Sequence, residues 1–70
     1  MMPLTLSNIG ETAAIKKVGG KEDIRQFLAT LGFVPGSHVT VITQNGGNVI
    51  VQVKESRVAI SREMAAKIMV

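Results

Sequence analysis

The sequence predicts a mainly β domain with short helices, small enough to fold its strands into one barrel. Three observations carry that reading. In the C-terminal half, apolar residues alternate with period two: Val39, Val41 and Thr43 share one face of a first strand, Val49, Val51 and Val53 one face of a second, and Val58 and Ile60 point inward from a third. The runs are separated by turn residues, Gln44-Asn45-Gly46-Gly47-Asn48 and Lys54-Glu55-Ser56, the first containing an Asn-Gly pair, the strongest short-range hairpin signal. Only one stretch has helical period, with Ile24, Phe27, Leu28 and Leu31 at i, i+3, i+4 and i+7. Seventy residues leave room for a single domain, residues 1–70.

Each element has a local reason. The first ten residues, to Gly10, read as an irregular lead-in ending in a turn. Thr12 to Val18 is expected to form one strand, with Ala13 and Ile15 on one face and Lys16 on the other, and Gly19-Gly20 ends it. The helix that follows has Glu22 and Asp23 in its first turn, where negative charge opposes the positive end of the helix dipole. Gly32 stands where a left-handed C-terminal cap is wanted, and Pro35 follows. After the hairpin strands and a third strand, Arg57 to Ile60, Ser61 caps a short last helix, Arg62 to Lys67, presenting Met64, Ala65 and Ile68 on one side. Met69-Val70 extends the sheet. Strands this short cannot make two packed sheets, whereas a small closed barrel buries the valines and removes exposed edges. The expected architecture is a five-stranded SH3-like β-barrel with one α-helix after the first strand and a short C-terminal helix.

Composition removes most functional classes. There is no Cys, Trp or Tyr, only two Phe, and eight basic residues against five acidic, a formal net charge of +3. Without Cys, disulfides and thiolate metal sites are excluded. No apolar run approaches the roughly 20 residues of a membrane-spanning helix, and the N-terminus does not read as a leader, so the chain is expected to be cytoplasmic. Catalysis lacks its parts: Ser37 and the single histidine, His38, are strand neighbours that point to opposite faces, and Asp23 is the only Asp. Gly19-Gly20-Lys21-Glu22 is a turn: a phosphate-binding loop requires a hydroxyl where Glu22 stands. One His cannot build a closed zinc site, which leaves His38 as a weak candidate ligand in an open one.

Nucleic acid is not expected as a partner. The basic residues are dispersed, and Phe27, placed on the helix stripe, leaves no exposed aromatic platform for base stacking. For the same want of Tyr and Trp, a groove for proline-rich peptides is excluded. The densest basic cluster, Lys16, Lys17, Lys21 and Arg25, is the candidate docking face for an acidic partner.

The segment Arg25-Gln26-Phe27-Leu28-Ala29-Thr30-Leu31-Gly32-Phe33-Val34-Pro35-Gly36 resembles the small A component of bacterial ferrous iron transport systems, the ferrous iron transport protein A family. The family shows an Arg, a Leu three residues on, Leu-Gly, an apolar residue and Pro-Gly, here Arg25, Leu28, Leu31, Gly32, Phe33, Pro35 and Gly36. Leu6, Ile9 and Gly10 are similar to its opening Leu-x-x-apolar-Gly, and Val58-Ala59-Ile60, leading into Ser61 and the last helix, to its ending. The resemblance implies that Leu6, Gly10, Leu28, Leu31, Gly32, Pro35, Gly36 and Ile60 are structural residues of the family motif, and physical reasons support it at the Gly32 cap, the Pro35-Gly36 turn, and Leu28 and Leu31, expected to plug the open end of the barrel.

The resemblance implies a non-enzymatic accessory role in ferrous iron uptake. Its partner would be the B component, a GTP-binding permease, met on the inner face of the membrane without a membrane span of the chain's own. No resident cofactor is implied beyond weak, transient contact with ferrous iron or another divalent transition metal. The alternative is a divalent-metal regulatory or sensor domain using His38 and a carboxylate, related to the SH3-like domain of metal-dependent repressors.

Overall fold

The computed structural model describes residues 1–70. Strands β3 (His38–Gln44), β4 (Asn48–Val53) and β5 (Ser56–Ser61) form an antiparallel meander. Period-two patterning works as expected through most of it: Val39, Val41, Val49, Val51 and Val53 are each 1% exposed or less, while their neighbours face outward. Asn45 and Asn48 close the first hairpin by exchanging backbone hydrogen bonds of 2.8 and 3.3 Å, leaving Gly46-Gly47 at its tip. The alternation fails at one point. A bulge between Val41 and Thr43 shifts the register, so Thr43 pairs with Ile50, lies half-buried and does not continue the valine face. Such a bulge adds twist and helps this sheet curl around its core.

The expected strand Thr12–Val18 is two strands. Strand β1 (Thr12–Ala14) pairs with β3, and β2 (Lys17–Val18) pairs with β6 (Ile68–Met69). Between them Ile15, 2% exposed, is the pivot: its N–H donates to Ser37 O at 2.8 Å and its carbonyl accepts from Gly36 N at 2.9 Å. The chain thereby crosses from a four-stranded sheet, in the order β1-β3-β4-β5, to a two-stranded one, β2-β6. Mainly β with two short helices is the observed class, but six strands in two sheets replace the closed five-stranded barrel. A corner strand that switches sheets covers the core without a continuous hydrogen-bonded ring.

The lead-in is more ordered than its sequence suggests. Met2 and Val70 exchange backbone bonds of 2.9 and 2.8 Å, Pro3 bridges Met69, and a short 3₁₀ turn, Leu4–Leu6, sinks Leu4 into the core. Leu6, by contrast, points outward, 66% exposed.

Helix α1 (Glu22–Thr30) ends as the glycine predicts. Gly32 has φ +104; its N–H donates to Ala29 O at 3.0 Å and Phe33 N–H to Leu28 O at 3.0 Å, the paired bonds of a Schellman cap. Phe33 is thereby folded back beside Leu28, and both are buried. The ring expected inside the core, Phe27, is instead 48% exposed. The reason is spatial: a nine-residue helix on a core this small buries a narrow stripe, and Phe33 fills the interior position. Leu31 is half-buried against the core, so of the two expected plugs only Leu28 is fully enclosed. Val34 O accepts from Ser37 N at 3.0 Å across Pro35 and Gly36 (φ +93), a type II turn that starts β3.

Helix α2 is Arg62–Ala65, shorter than the expected Arg62–Lys67, because the chain must turn at Ala66-Lys67 to enter β6. Its cap is as expected: Met64 N–H donates to Ser61 Oγ at 3.2 Å. Ser61→Ala is expected to cost about 1 kcal/mol, read as a lower urea midpoint with unchanged slope. An unchanged midpoint would mean that the cap contributes nothing.

Candidate functional site

Three of the four residues of the predicted basic cluster meet at one groove. Lys16 and Lys17 come from the corner where the chain changes sheets, and Arg25 from the outward side of α1, one residue after half-buried Ile24. Between them lies an open cleft of about 450 Å³. Its floor is apolar: Val18, Ala29, Phe33, Val34 and Pro35 line it, and Phe33, only 1% exposed, is the rigid part beneath. The rim therefore sets Lys16, Lys17 and Arg25 against a single carboxylate, Glu22, whose Oε1 already accepts from Gln26 Nε2 at 3.4 Å.

The local sequence explains this placement. The Schellman cap and the Pro35-Gly36 turn bring Phe33 to Pro35 under the helix, and the pivot at Ile15 swings Lys16-Lys17 to the opposite bank. Lys21 does not join them. It is the N-cap residue of α1, exposed and outside the cleft lining. The apolar floor was not singled out as a site from sequence, because Phe33 to Pro35 carry an obvious structural role in the turn. That they follow a capped helix directly was the available signal.

Of the remaining predicted residues only Pro35 also lines the groove. Leu28 and Ile60 belong to the core of thirteen buried residues, Gly32, Pro35 and Gly36 shape the two turns, and Gly10 donates its N–H to Val41 O at 2.8 Å. His38 begins β3, exposed, in a separate shallow depression with Thr12, Ser37, Thr40, Gln52 and Lys54. Ser37 precedes the strand, so the expectation that it and His38 face opposite ways does not hold: both line this depression. No carboxylate lines that depression, and nowhere do three His, Cys, Asp or Glu side chains gather as a metal set would. Hydroxyls, an amide and an ammonium around one imidazole do not fit a resident divalent cation, so the pairing of His38 with a carboxylate has no partner in its lining. No helix is long and apolar enough to cross a membrane.

What the groove can do chemically is hold a short segment of another chain. An apolar side chain would rest on Phe33 and Pro35 while carboxylates meet the three cations, with charge setting the rate and register of encounter.

The family model described as the FeoA domain matches residues 2–70. A protein of Methanocaldococcus jannaschii named Fe(2+) transport protein A is 39% identical over 70 residues, covering 100% of this chain and 85% of its own. Among solved structures, Stenotrophomonas maltophilia FeoA in complex with zinc superposes with a TM-score of 0.85 at 25% identity. The match covers 99% of this chain and 88% of that one, which is described as a procaryotic SH3 domain protein. A manganese-dependent transcriptional repressor reaches a TM-score of 0.86 at 17% identity over 94% of this chain but 38% of its own, a likeness of fold alone.

Proposed function

The chain belongs to the FeoA domain family, and from that premise we propose that it is a non-enzymatic accessory protein of ferrous iron uptake. It docks through the groove between α1 and the Lys16-Lys17 corner onto the cytoplasmic part of the GTP-binding permease and modulates transport. Ferrous iron is the cargo of the system and passes through the permease, not through this chain. The observation that carries the reading is the convergence of Lys16, Lys17 and Arg25 over an apolar floor, with the single rim carboxylate engaged by Gln26. A cleft of that make-up suits an acidic segment with an apolar anchor, and is a poor cradle for a metal ion or a reacting substrate.

The second reading, a divalent-metal sensor, would have to use His38, and the residues around that side chain speak against it. The repressor-like fold adds no support, because the same architecture serves unrelated tasks.

Charge reversal tests the docking. Lys17→Glu with Arg25→Glu is expected to weaken binding to the permease's cytoplasmic part by roughly tenfold or more, about 1.4 kcal/mol or above. The fold should persist, since both side chains are exposed. The salt dependence of binding should fall with the affinity, as expected when rim charges steer encounter. Lys21→Glu, outside the cleft, is the internal comparison and should weaken binding less. Equal effects at all three positions would replace the groove by diffuse attraction, and no effect at Lys17 and Arg25 would overturn the docking face.

A further inference from the structure

We propose that the outer face of the four-stranded sheet carries a second site, a polar depression that binds a phosphate group. It is framed by Thr12, Ser37, His38, Thr40, Gln52 and Lys54, encloses about 440 Å³, and has no apolar side chain in its lining. It is separate from the groove, and its existence does not rest on the docking reading.

Strand register builds the site. Thr12 stands opposite Thr40, Thr40 opposite Gln52, and Gln52 opposite Arg57, so one polar row crosses all four strands on the solvent face. The row is held by its own hydrogen bonds. Thr12 Oγ1 and Thr40 Oγ1 lie 2.7 Å apart, Arg57 Nε donates to Gln52 Oε1 at 3.1 Å, and Gln52 Nε2 donates to Lys54 O at 3.3 Å. His38 precedes Thr40 by two residues and Lys54 follows Gln52 by two, which brings both to the same side of the row.

The chemistry of this lining is that of an anion receptor. Ser37 and one member of the hydrogen-bonded pair Thr12 and Thr40 offer hydroxyls that rotate to donate, His38 offers a ring N–H, and Lys54 carries the charge. The neighbouring acid, Glu11, is not part of the lining, and its Oε2 accepts from Asn8 Nδ2 at 3.0 Å. A lysine with serine and threonine hydroxyls is a common setting for phosphate oxygens, and a tetrahedral group can use donors arriving from three strands at once. A planar carboxylate is served best by a guanidinium fork, and the lining of the depression contains none, since Arg57 lies outside it.

The backbone supplies an independent sign. Lys54 has φ +54 and is the one residue other than glycine with positive φ. Glycine takes up that conformation freely and lysine resists it, so the turn carries some backbone strain at this residue. Its stem crosses Gly32, with Cδ and Cε 3.6 Å from the point a Cβ of that glycine would occupy, which fixes the direction in which the chain rises.

The test is a two-dimensional amide NMR titration with inorganic phosphate at constant ionic strength, run beside a nucleoside triphosphate. Saturable shifts at millimolar phosphate are expected at Thr12, Ser37 to Thr40, and Gln52 to Lys54. Equal affinity for both probes makes free phosphate the ligand, and tighter binding of the triphosphate makes it a nucleotide's phosphate; either supports the site. Lys54→Gly should weaken binding by roughly tenfold. Its melting temperature should not fall, because glycine relaxes the turn, so loss of binding cannot be loss of fold. His38→Gln should weaken binding by a smaller factor. Shifts that do not saturate, shifts centred on Lys16, Lys17 and Arg25, or a Lys54→Gly variant that binds as tightly as the parent would overturn the proposal.

Discussion

Phe33→Ala is expected to remove about 3–5 kcal/mol of stability, the usual cost of emptying a buried aromatic site. A chain of this length holds roughly 3.5–10 kcal/mol in all, so the variant loses about a third of its stability or more, and unfolds if the parent stands at the lower end of that range. The reason lies in the make-up of the core. Twelve of its thirteen members are aliphatic, and Phe33, 1% exposed, is the single ring around which Leu28 and the valines pack. The other aromatic, Phe27, lies outside the buried cluster. Phe33→Leu separates stability from surface shape. It should cost only about 1 kcal/mol, since volume is nearly kept, yet flatten the groove floor and weaken docking. Urea unfolding of both variants gives the measurement; a loss below about 1 kcal/mol for Phe33→Ala would show that the core closes over the gap.

Gly32→Val is the second large effect, and it acts through the backbone. At φ +104 a β-branched residue is strained wherever it points, and the new Cβ would stand 3.3 Å from Val53 Cγ2 in the buried face of β4. Together these should cost about 2 kcal/mol or more, a fall in melting temperature of roughly 10 °C. The Schellman bonds would be lost with the conformation, and with them the fold-back that sets Phe33 under the groove. Gly46→Ala is the matched comparison. An added Cβ there meets nothing within 4 Å, and the change should stay within about 0.5 kcal/mol of the parent. If both glycines tolerate substitution alike, the cap at Gly32 is not what holds this corner.

Local signals were legible wherever one short segment carried its own instructions. The valine alternation, the Asn45–Asn48 hairpin, the Gly32 cap, the Pro35-Gly36 turn and the Ser61 cap each depend on residues within a few positions of one another. Phe27 shows the limit of such reading. It satisfies the helical stripe as well as Leu28 does, but which members of a stripe are buried depends on how wide a surface the rest of the fold presents. The split of Thr12–Val18 shows the same limit. Nothing in Thr12-Ala13-Ala14-Ile15-Lys16-Lys17-Val18 marks Ile15 as a corner. It becomes one because β3 and β6, both distant in sequence, claim opposite halves of the segment.

The candidate site divides along the same line. Its charges were readable, since Lys16, Lys17, Lys21 and Arg25 are close in sequence. Its floor was not, and neither was the exclusion of Lys21, whose N-cap position turns it from the cleft.

By itself, then, the sequence determined the class of the domain, the strands and turns of its C-terminal meander, the family motif from Arg25 to Gly36, and the absence of thiol chemistry and of any membrane-spanning helix. These follow from periodicity, turn chemistry and composition, which are local quantities. Tertiary structure alone decided that the strands form two sheets, that Phe33 and not Phe27 fills the core, and that three cations meet over an apolar floor. Those outcomes depend on which distant segments claim the same backbone donors and on how wide an interior they leave, and no window of neighbouring residues contains those segments.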